Sequence, residues 1–332
     1  MRSHNLLYFR SRNMQLRTEI EPMPSRQPIS YRDGIVVLGS CFAENIASWL
    51  KQSCFNVCDN PFGVLYNPAS IASSLRILLN PDEHGETSDD SILQGSDGYW
   101  YSYGFYSKYS AETKDGLRNL LEATIGDARK ALSAAKHVII TFGTSWVYER
   151  NGKVVANCHK MPARTFERRC MSVDEIIRLW VPLIDAMGDR HILFSVSPIR
   201  HVKDTLHGNQ LSKSTLLLAV DHLCQMFPGK VEYVPAYEML IDDLRDYRFY
   251  ADDLVHPSSI AIDMVRQYFT QNFLDKQSQD YLRDVEPLIR AANHRPLHPD
   301  SEAHKTFKCQ INLKLDQLIE KYSNFGLSNL KV

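Results

Sequence analysis

A hydroxyl and a thiol stand side by side at Ser40-Cys41, and a carboxylate and an imidazole stand three residues apart at Asp253 and His256. Nucleophilic acyl chemistry needs such groups: a nucleophile, a base in reach of its proton, and a carboxylate to orient the base. The stretch around Cys41 favours it as the nucleophile. Gly34-Ile35-Val36-Val37-Leu38-Gly39 reads as a strand covered on both faces, with four consecutive apolar residues. Phe42, Ile46, Trp49 and Leu50 then fall at helical spacing. Ser40 is the N-cap candidate of that helix, which places Cys41 in its first turn, where unpaired backbone N–H groups and the helix dipole favour negative charge. A thiol so placed is biased toward thiolate. An arbitrary cysteine is more often a small buried hydrophobe, but a position after a strand, beside Gly and Ser, favours function. Asp253 and His256, taken alone, read as a solvated cap ahead of a helix.

The elements that must position these groups alternate along the chain. A short strand at 55–57 runs into Cys58-Asp59-Asn60-Pro61-Phe62-Gly63, and 68–79 is a helix with Pro68 suited to its first turn. A long amphipathic helix over 113–135 leads to a strand over 137–144, which again stops at a glycine, Gly143. Asn151-Gly152 between two β-rich runs signals a hairpin that returns Asn157-Cys158-His159-Lys160 toward the preceding loop. Helix 173–187, strand 191–196, helix 211–226 and strand 231–234 continue the pattern. Five strands so interleaved predict a doubly wound parallel α/β sheet, with ligand bound beyond the carboxyl ends of its strands. Gly39-Ser40-Cys41, Asn60 to Gly63, Gly143-Thr144-Ser145 and Ser197-Pro198-Ile199-Arg200-His201 should then share one crevice. The insert 80–112 carries an aromatic run, Tyr99 to Tyr106, better explained by packing against the core than by a sugar site. Pro257 is placed to start a helix over 260–273, and 276–332 reads as a helical extension.

Composition narrows the function classes. The 332 residues are 44% hydrophobic and 23% charged, ordinary for a globular chain. A net charge of −1 provides no basic footprint for nucleic acid or an anionic membrane surface, so neither partner is expected. No run is long enough to span a bilayer, and Leu6-Leu7-Tyr8-Phe9 is too short for a signal-peptide core. Residues 1–13 therefore read as a disordered leader and the chain as cytoplasmic, in keeping with seven irregularly spaced cysteines. Cys54 and Cys58 lack zinc-knuckle spacing, and Pro296 argues against a metal-binding helix carrying His294 and His298. With no phosphate loop or dinucleotide fingerprint, neither metal nor cofactor is expected.

The run Gly39-Ser40-Cys41-Phe42-Ala43 resembles the naming motif of the GSCFA family. The likeness continues in order through Asn60 to Pro68, Gly143 to Tyr148, Asn157 to Lys160, Ser197 to His201, Ser212-Lys213 and Asp253 to Pro257. It covers 14–273. That family is similar to the SGNH, or GDSL-type, hydrolases and acyltransferases, which implies a three-layer αβα flavodoxin-like sheet over 14–275. It also implies an esterase or acyltransferase that acts on a small or carbohydrate-linked acyl group through a covalent acyl-enzyme. An ungapped match to the Gly-Asp-Ser pattern puts Cys41 at the nucleophile's place and Ser40 at the aspartate's, so Cys41 ranks ahead of Ser40. Asp253 and His256 match the closing Asp-x-x-His pair. Gly63 matches a glycine whose amide is an oxyanion donor, and Asn60 opens the same block. The asparagine donor of the third block has no counterpart, since Thr144 follows Gly143; Thr144, Asn157 or His159 would have to stand in. Lys160, Arg200 and Lys213, with His201 alongside, are candidate contacts for an anion or sugar hydroxyl. Two other readings remain: a binding or scaffold module that kept the sheet and lost turnover, and a thiol redox sensor resting on Cys41 alone.

Overall fold

Alternation within the first strand sets the layers. Val36 and Leu38 pack into one apolar cluster and Ile35 and Val37 into another, and all four are buried. The computed structural model describes residues 17–83, 87–293, 297–298 and 301–330, so the leader expected over 1–13 and the His294 and Pro296 positions lie outside the described residues.

In chain order, β1 (Gly34–Gly39), α1 (Cys41–Gln52), β2 (Asn56–Asp59) and α2 (Pro68–Leu79) lead to a hairpin of β3 (Ile92–Gln94) and β4 (Trp100–Ser102). Then come α3 (Lys114–Ala134), β5 (Ala135–Phe142), β6 (Trp146–Arg150), β7 (Lys153–Val155), β8 (Glu167–Cys170) and α4 (Val173–Ala186). The chain continues through β9 (His191–Val196), α5 (Thr205–Met226), β10 (Val231–Val234), the single turn α6 (Ala236–Glu238), α7 (Ser259–Phe273), α8 (Lys276–Ala292) and α9 (Glu302–Tyr322). Five strands form one parallel sheet in the order β10-β9-β5-β1-β2. Helices α2 to α5 contribute to the apolar cluster on one face, and α1, α7 and α8 to that on the other, giving three αβα layers. From β1 the chain goes first to β2 on one side and later to β5 on the other, so the switch in direction, where doubly wound sheets hold ligands, falls beside Gly39.

Local signals explain most boundaries. Side chains of Ser40, Asn67, Thr113, Ser172, Ser258, Asp275 and Ser301 each accept a backbone N–H from the first turn of the helix they precede. Ser258 caps α7, so Pro257 lies outside the helix that it was expected to start, bridged instead to Tyr250. Strand β5 ends two residues earlier than expected because the amides of Gly143 and Thr144 turn away to the Tyr66 carbonyl, at 2.7 and 3.0 Å. Helix α5 starts six residues early: the polar turn from Thr205, too hydrophilic to show an apolar period, is held by the bond from the Gly208 amide to Thr205 Oγ1. The hairpin at Asn151-Gly152 gains a third strand, β8, whose Arg169 pairs with Glu149 and Glu175 and gives no apolar alternation to read. In the insert, Phe105 stacks on Phe62 at 4.5 Å and the ribbon packs on the core. Helices α8 and α9 close over the end of α1, where Tyr281 stacks on Tyr31 and donates to the Ser53 carbonyl at 2.8 Å. No helix among the described residues is long and apolar enough to cross a membrane.

At the amino ends of the strands, away from the switch point, His137 of β5 and His191 of β9 lie side by side with both rings fully buried. His137 Nε2 donates to Asp33 at 3.0 Å, and the two Nδ1 atoms meet at 3.2 Å, which requires His191 Nδ1 to be the donor. Burial pushes the His137 imidazole down to about 4, against the Asp33 carboxylate, with His191 and Lys136 adding to the depression. Folding therefore excludes a proton that the unfolded chain accepts near pH 6.5, and stability falls as pH drops from about 6.5 to about 4. The contribution is about 3 kcal/mol. Chemical unfolding across that window should show a shallower acid loss in His137→Asn than in the wild type; parallel curves would remove His137 from the account.

Candidate active site at the carboxyl end of the sheet

The turn after β1 is made by a glycine that nothing else can replace. Gly39 has φ +141°, and a Cβ there would lie 2.3 Å from the Thr141 carbonyl oxygen across the sheet. Its amide donates to Asn60 Oδ1 at 2.8 Å. Ser40 is buried, its Oγ accepting the Phe42 amide at 3.3 Å as the cap of α1. Cys41 is the first residue of that helix, so its amide has no intrahelical acceptor, and its side chain is partly exposed. Of the two nucleophile candidates, the hydroxyl is committed to the cap and the thiol faces the solvent-accessible side.

Cys41 Sγ lies 3.5 Å from the hydroxyl of Tyr66. Burial, together with the hydrogen bond and charge of the neighbouring thiol, holds the Tyr66 proton far above the usual phenol range, so the hydroxyl stays available as a donor. The ring of His201 meets Tyr66 edge-on at 6.2 Å. Burial first, and then the Lys213 ammonium, push His201 down to about 4. Lys213 is fully buried, with Nζ 2.5 Å from the Gly143 carbonyl and 2.6 Å from that of Ser197, and desolvation lowers it to about 7. It is a tie between the loops after β5 and β9, out of reach of any substrate.

Asp253 and His256 form the expected pair: Asp253 Oδ2 accepts from His256 Nδ1 at 2.6 Å, and Oδ1 takes the amides of Val255 and His256. Those two amides and the imidazole hold the Asp253 carboxyl down to about 2. This fixes the tautomer that leaves Nε2 of a neutral His256 as acceptor. His256 and Cys41 line one cavity of about 500 Å³, together with Ser40, Thr144, Asn157, Arg200 and His201. Among the described residues no hydrogen bond joins Cys41 to His256; the thiol's partner is Tyr66. Larger hollows of about 710 and 770 Å³ lie elsewhere, and neither brings a thiol together with an imidazole. In the first of them, burial pushes Cys224 up to about 12.

Several expected contacts have other work. The Gly63 amide is spent on the Asn60 carbonyl at 2.7 Å, and a Cβ on Gly63 would collide with Tyr106 at 2.2 Å, so this glycine permits close packing under the insert and donates to no oxyanion. Asn60 clamps the Gly39 turn and lies outside the cavity lining. The Thr144 hydroxyl bonds Ser212 at 3.1 Å and its amide bonds Tyr66. Asn157 donates to Ser107 and accepts the His159 amide. His159 is buried, bonded to the Ser102 carbonyl at 2.7 Å and stacked on Tyr101. Lys160 is exposed and off the cavity lining. Other residues in the lining carried no such expectation: Tyr66, and a wall in which Arg168 covers Trp146 at 4.1 Å and pairs with Asp204. Tyr66 lies within the Asn60 to Pro68 motif; Arg168 lies on a polar strand with no signal of its own.

A family model described as GSCFA family matches residues 34–269, and one described as GSCFA domain protein, C-terminal domain, matches residues 285–331. No curated protein and no solved structure matches the chain.

Proposed function

The chain belongs to the GSCFA family, and from that premise we propose that it is an acyl-ester hydrolase or acyltransferase of the SGNH, or GDSL-like, type, acting through a thioester on Cys41. The observation that carries this reading is one cavity shared by a thiol at a helix N-terminus and an imidazole already oriented by a carboxylate. In the first step His256 takes the thiol proton and the sulfur attacks the acyl carbonyl. The departing alkoxide then takes that proton from His256. In the second, water or an acceptor hydroxyl gives its proton to His256 and attacks the thioester, and Cys41 leaves as thiolate. The Cys41 amide, free of intrahelical bonding, and the Tyr66 hydroxyl beside the sulfur serve as the donors to the developing oxyanion. Asn157 and the aromatic side chains of Trp146 and Tyr148 share the lining, compatible with a sugar or similar small polar acceptor. Seven free cysteines suit a reducing, cytoplasmic setting.

The absence of a Cys41–His256 hydrogen bond favours one second reading, a binding module that has lost turnover. Weighing the intact protein after exposure to an activated acyl ester separates them. The enzyme should gain one acyl mass that Cys41→Ala abolishes and that decays with time. An adduct surviving Cys41→Ala but lost in Ser40→Ala would transfer the nucleophile to Ser40, and no adduct in the wild type would leave the module.

A further inference from the structure

Three cations, Arg168, Arg200 and Lys203, line the cavity that holds Cys41, against a single carboxylate, Asp204. Asp204 is taken by Arg168, which also lies flat over Trp146. Arg200 is different. Its guanidinium stacks on Tyr250 at 4.1 Å and stands 5.7 Å from the Tyr247 ring, and its one hydrogen bond runs from Nη2 to the Tyr250 hydroxyl at 2.6 Å. No carboxylate among the described residues lies within ion-pair distance of it; nearby Asp246 is engaged by Arg248 at 3.0 Å. A guanidinium carries five N–H donors, so most of the fork remains for a ligand. Lying over Tyr250 and hydrogen-bonded to its hydroxyl, the guanidinium is held in place in advance, which lowers the entropy cost of a two-point contact. Lys203 on the same rim makes no ion pair among the described residues and adds long-range attraction of the same sign.

We infer that the substrate carries an anionic oxygen group, a carboxylate or a phosphate, which seats on Arg200 while its acyl carbonyl lies at Cys41. This rests on the acyl-transfer reading given above. It makes Arg200 a specificity determinant with no part in bond making.

Phenyl acetate, 4-acetoxybenzoate and 4-acetoxyphenyl phosphate place no charge, a carboxylate and a phosphate on the leaving group. Mono-4-nitrophenyl succinate, set against 4-nitrophenyl butyrate, places a carboxylate on the acyl group. The rate of Cys41 acylation is the readout. At least one charged ester should outpace its neutral parent by roughly ten- to a hundredfold, the range of a charge-assisted hydrogen bond. Arg200→Gln should bring the charged esters down to the rate of their neutral parents in the same variant, and Lys203→Glu, on the exposed rim, should reduce the preference severalfold even if Arg200→Gln folds poorly. A preference untouched by both variants, or none in the wild type, overturns the inference. Should no ester label Cys41, the acyl-transfer reading has failed by itself. The anion seat is then judged by calorimetric titration of succinate and of inorganic phosphate into wild type and Arg200→Gln. Binding confined to the wild type supports it; equal or absent binding overturns it.

Discussion

Replacing His256 with Ala is expected to slow both the appearance and the loss of the acyl adduct on Cys41 by about two orders of magnitude or more. On the acyl-transfer reading both steps need the same group: it accepts a proton from the nucleophile and returns it to the leaving group, then repeats this with water. Asp253 holds Nδ1 at 2.6 Å, so the free face of the ring is Nε2, and both His256 and Cys41 open to the same cavity. On that reading the remaining gap is that of an unliganded site whose contact tightens only with substrate present. His201 is the rival base, since it also lines the cavity. Its ring packs edge-on against Tyr66, and its conjugate acid, at about 4, makes it a weak base. His201→Gln should therefore cost much less than His256→Ala. Single-turnover mass measurements decide it: equal labelling of wild type and His256→Ala reduces Cys41 to an ordinary exposed thiol, and a larger loss in His201→Gln transfers the base.

The second large effect belongs to Lys213, and its signature is a pH dependence. Desolvation brings the buried amine to about 7 from an ordinary 10.5, so between those values the unfolded chain holds a proton that the folded one has released. Wild-type stability attributable to this residue therefore rises with pH across the window, by about 3 kcal/mol between pH 7 and 9.5. Lys213→Met removes that slope and leaves the Gly143 and Ser197 carbonyls without their donor, at a cost of roughly 1–3 kcal/mol each. Near pH 7 the orphaned carbonyls and the relief of a buried charge oppose each other. The gap between the two proteins should then widen in favour of the wild type as pH rises. Urea unfolding at both pH values measures it; a gap that stays constant or narrows would mean that the amine is not desolvated as its burial implies. Since the two carbonyls belong to the loops that carry Thr144 and Arg200, acylation should weaken as well.

Local pattern decided a great deal of this molecule. A run of buried β-branched residues, a glycine, a capping serine and an apolar stripe at helical spacing are each interpretable within a few residues, so β1, Ser40, Cys41 and α1 follow from sequence alone. So do the five-strand alternation and the Asp253–His256 pair, whose three-residue spacing suits one turn of chain. Strand β8 and the first turn of α5 were illegible because charged and polar residues hold them, leaving no apolar period.

Which polar group at a strand end is free for substrate was decided only by the tertiary structure. Asn60, Gly63, Thr144 and Lys213 occupy the motif positions where ligand contacts were expected, yet Asn60 Oδ1 accepts the Gly39 amide, the Gly63 amide donates to the Asn60 carbonyl, the Thr144 hydroxyl bonds Ser212 and the Lys213 ammonium donates to two loop carbonyls. Those bonds join residues up to 70 positions apart. Backbone groups buried at the ends of a sheet must find partners, and the nearest polar side chain supplies them whatever chemistry its type would allow elsewhere. Tyr66 meets Cys41, and Arg200 is left with an open fork, for the same reason in reverse: parallel-sheet register brings separate loops to one edge and fixes which groups have no partner there. Sequence determined the kinds of group present at that edge, and three-dimensional pairing determined which of them face the cavity.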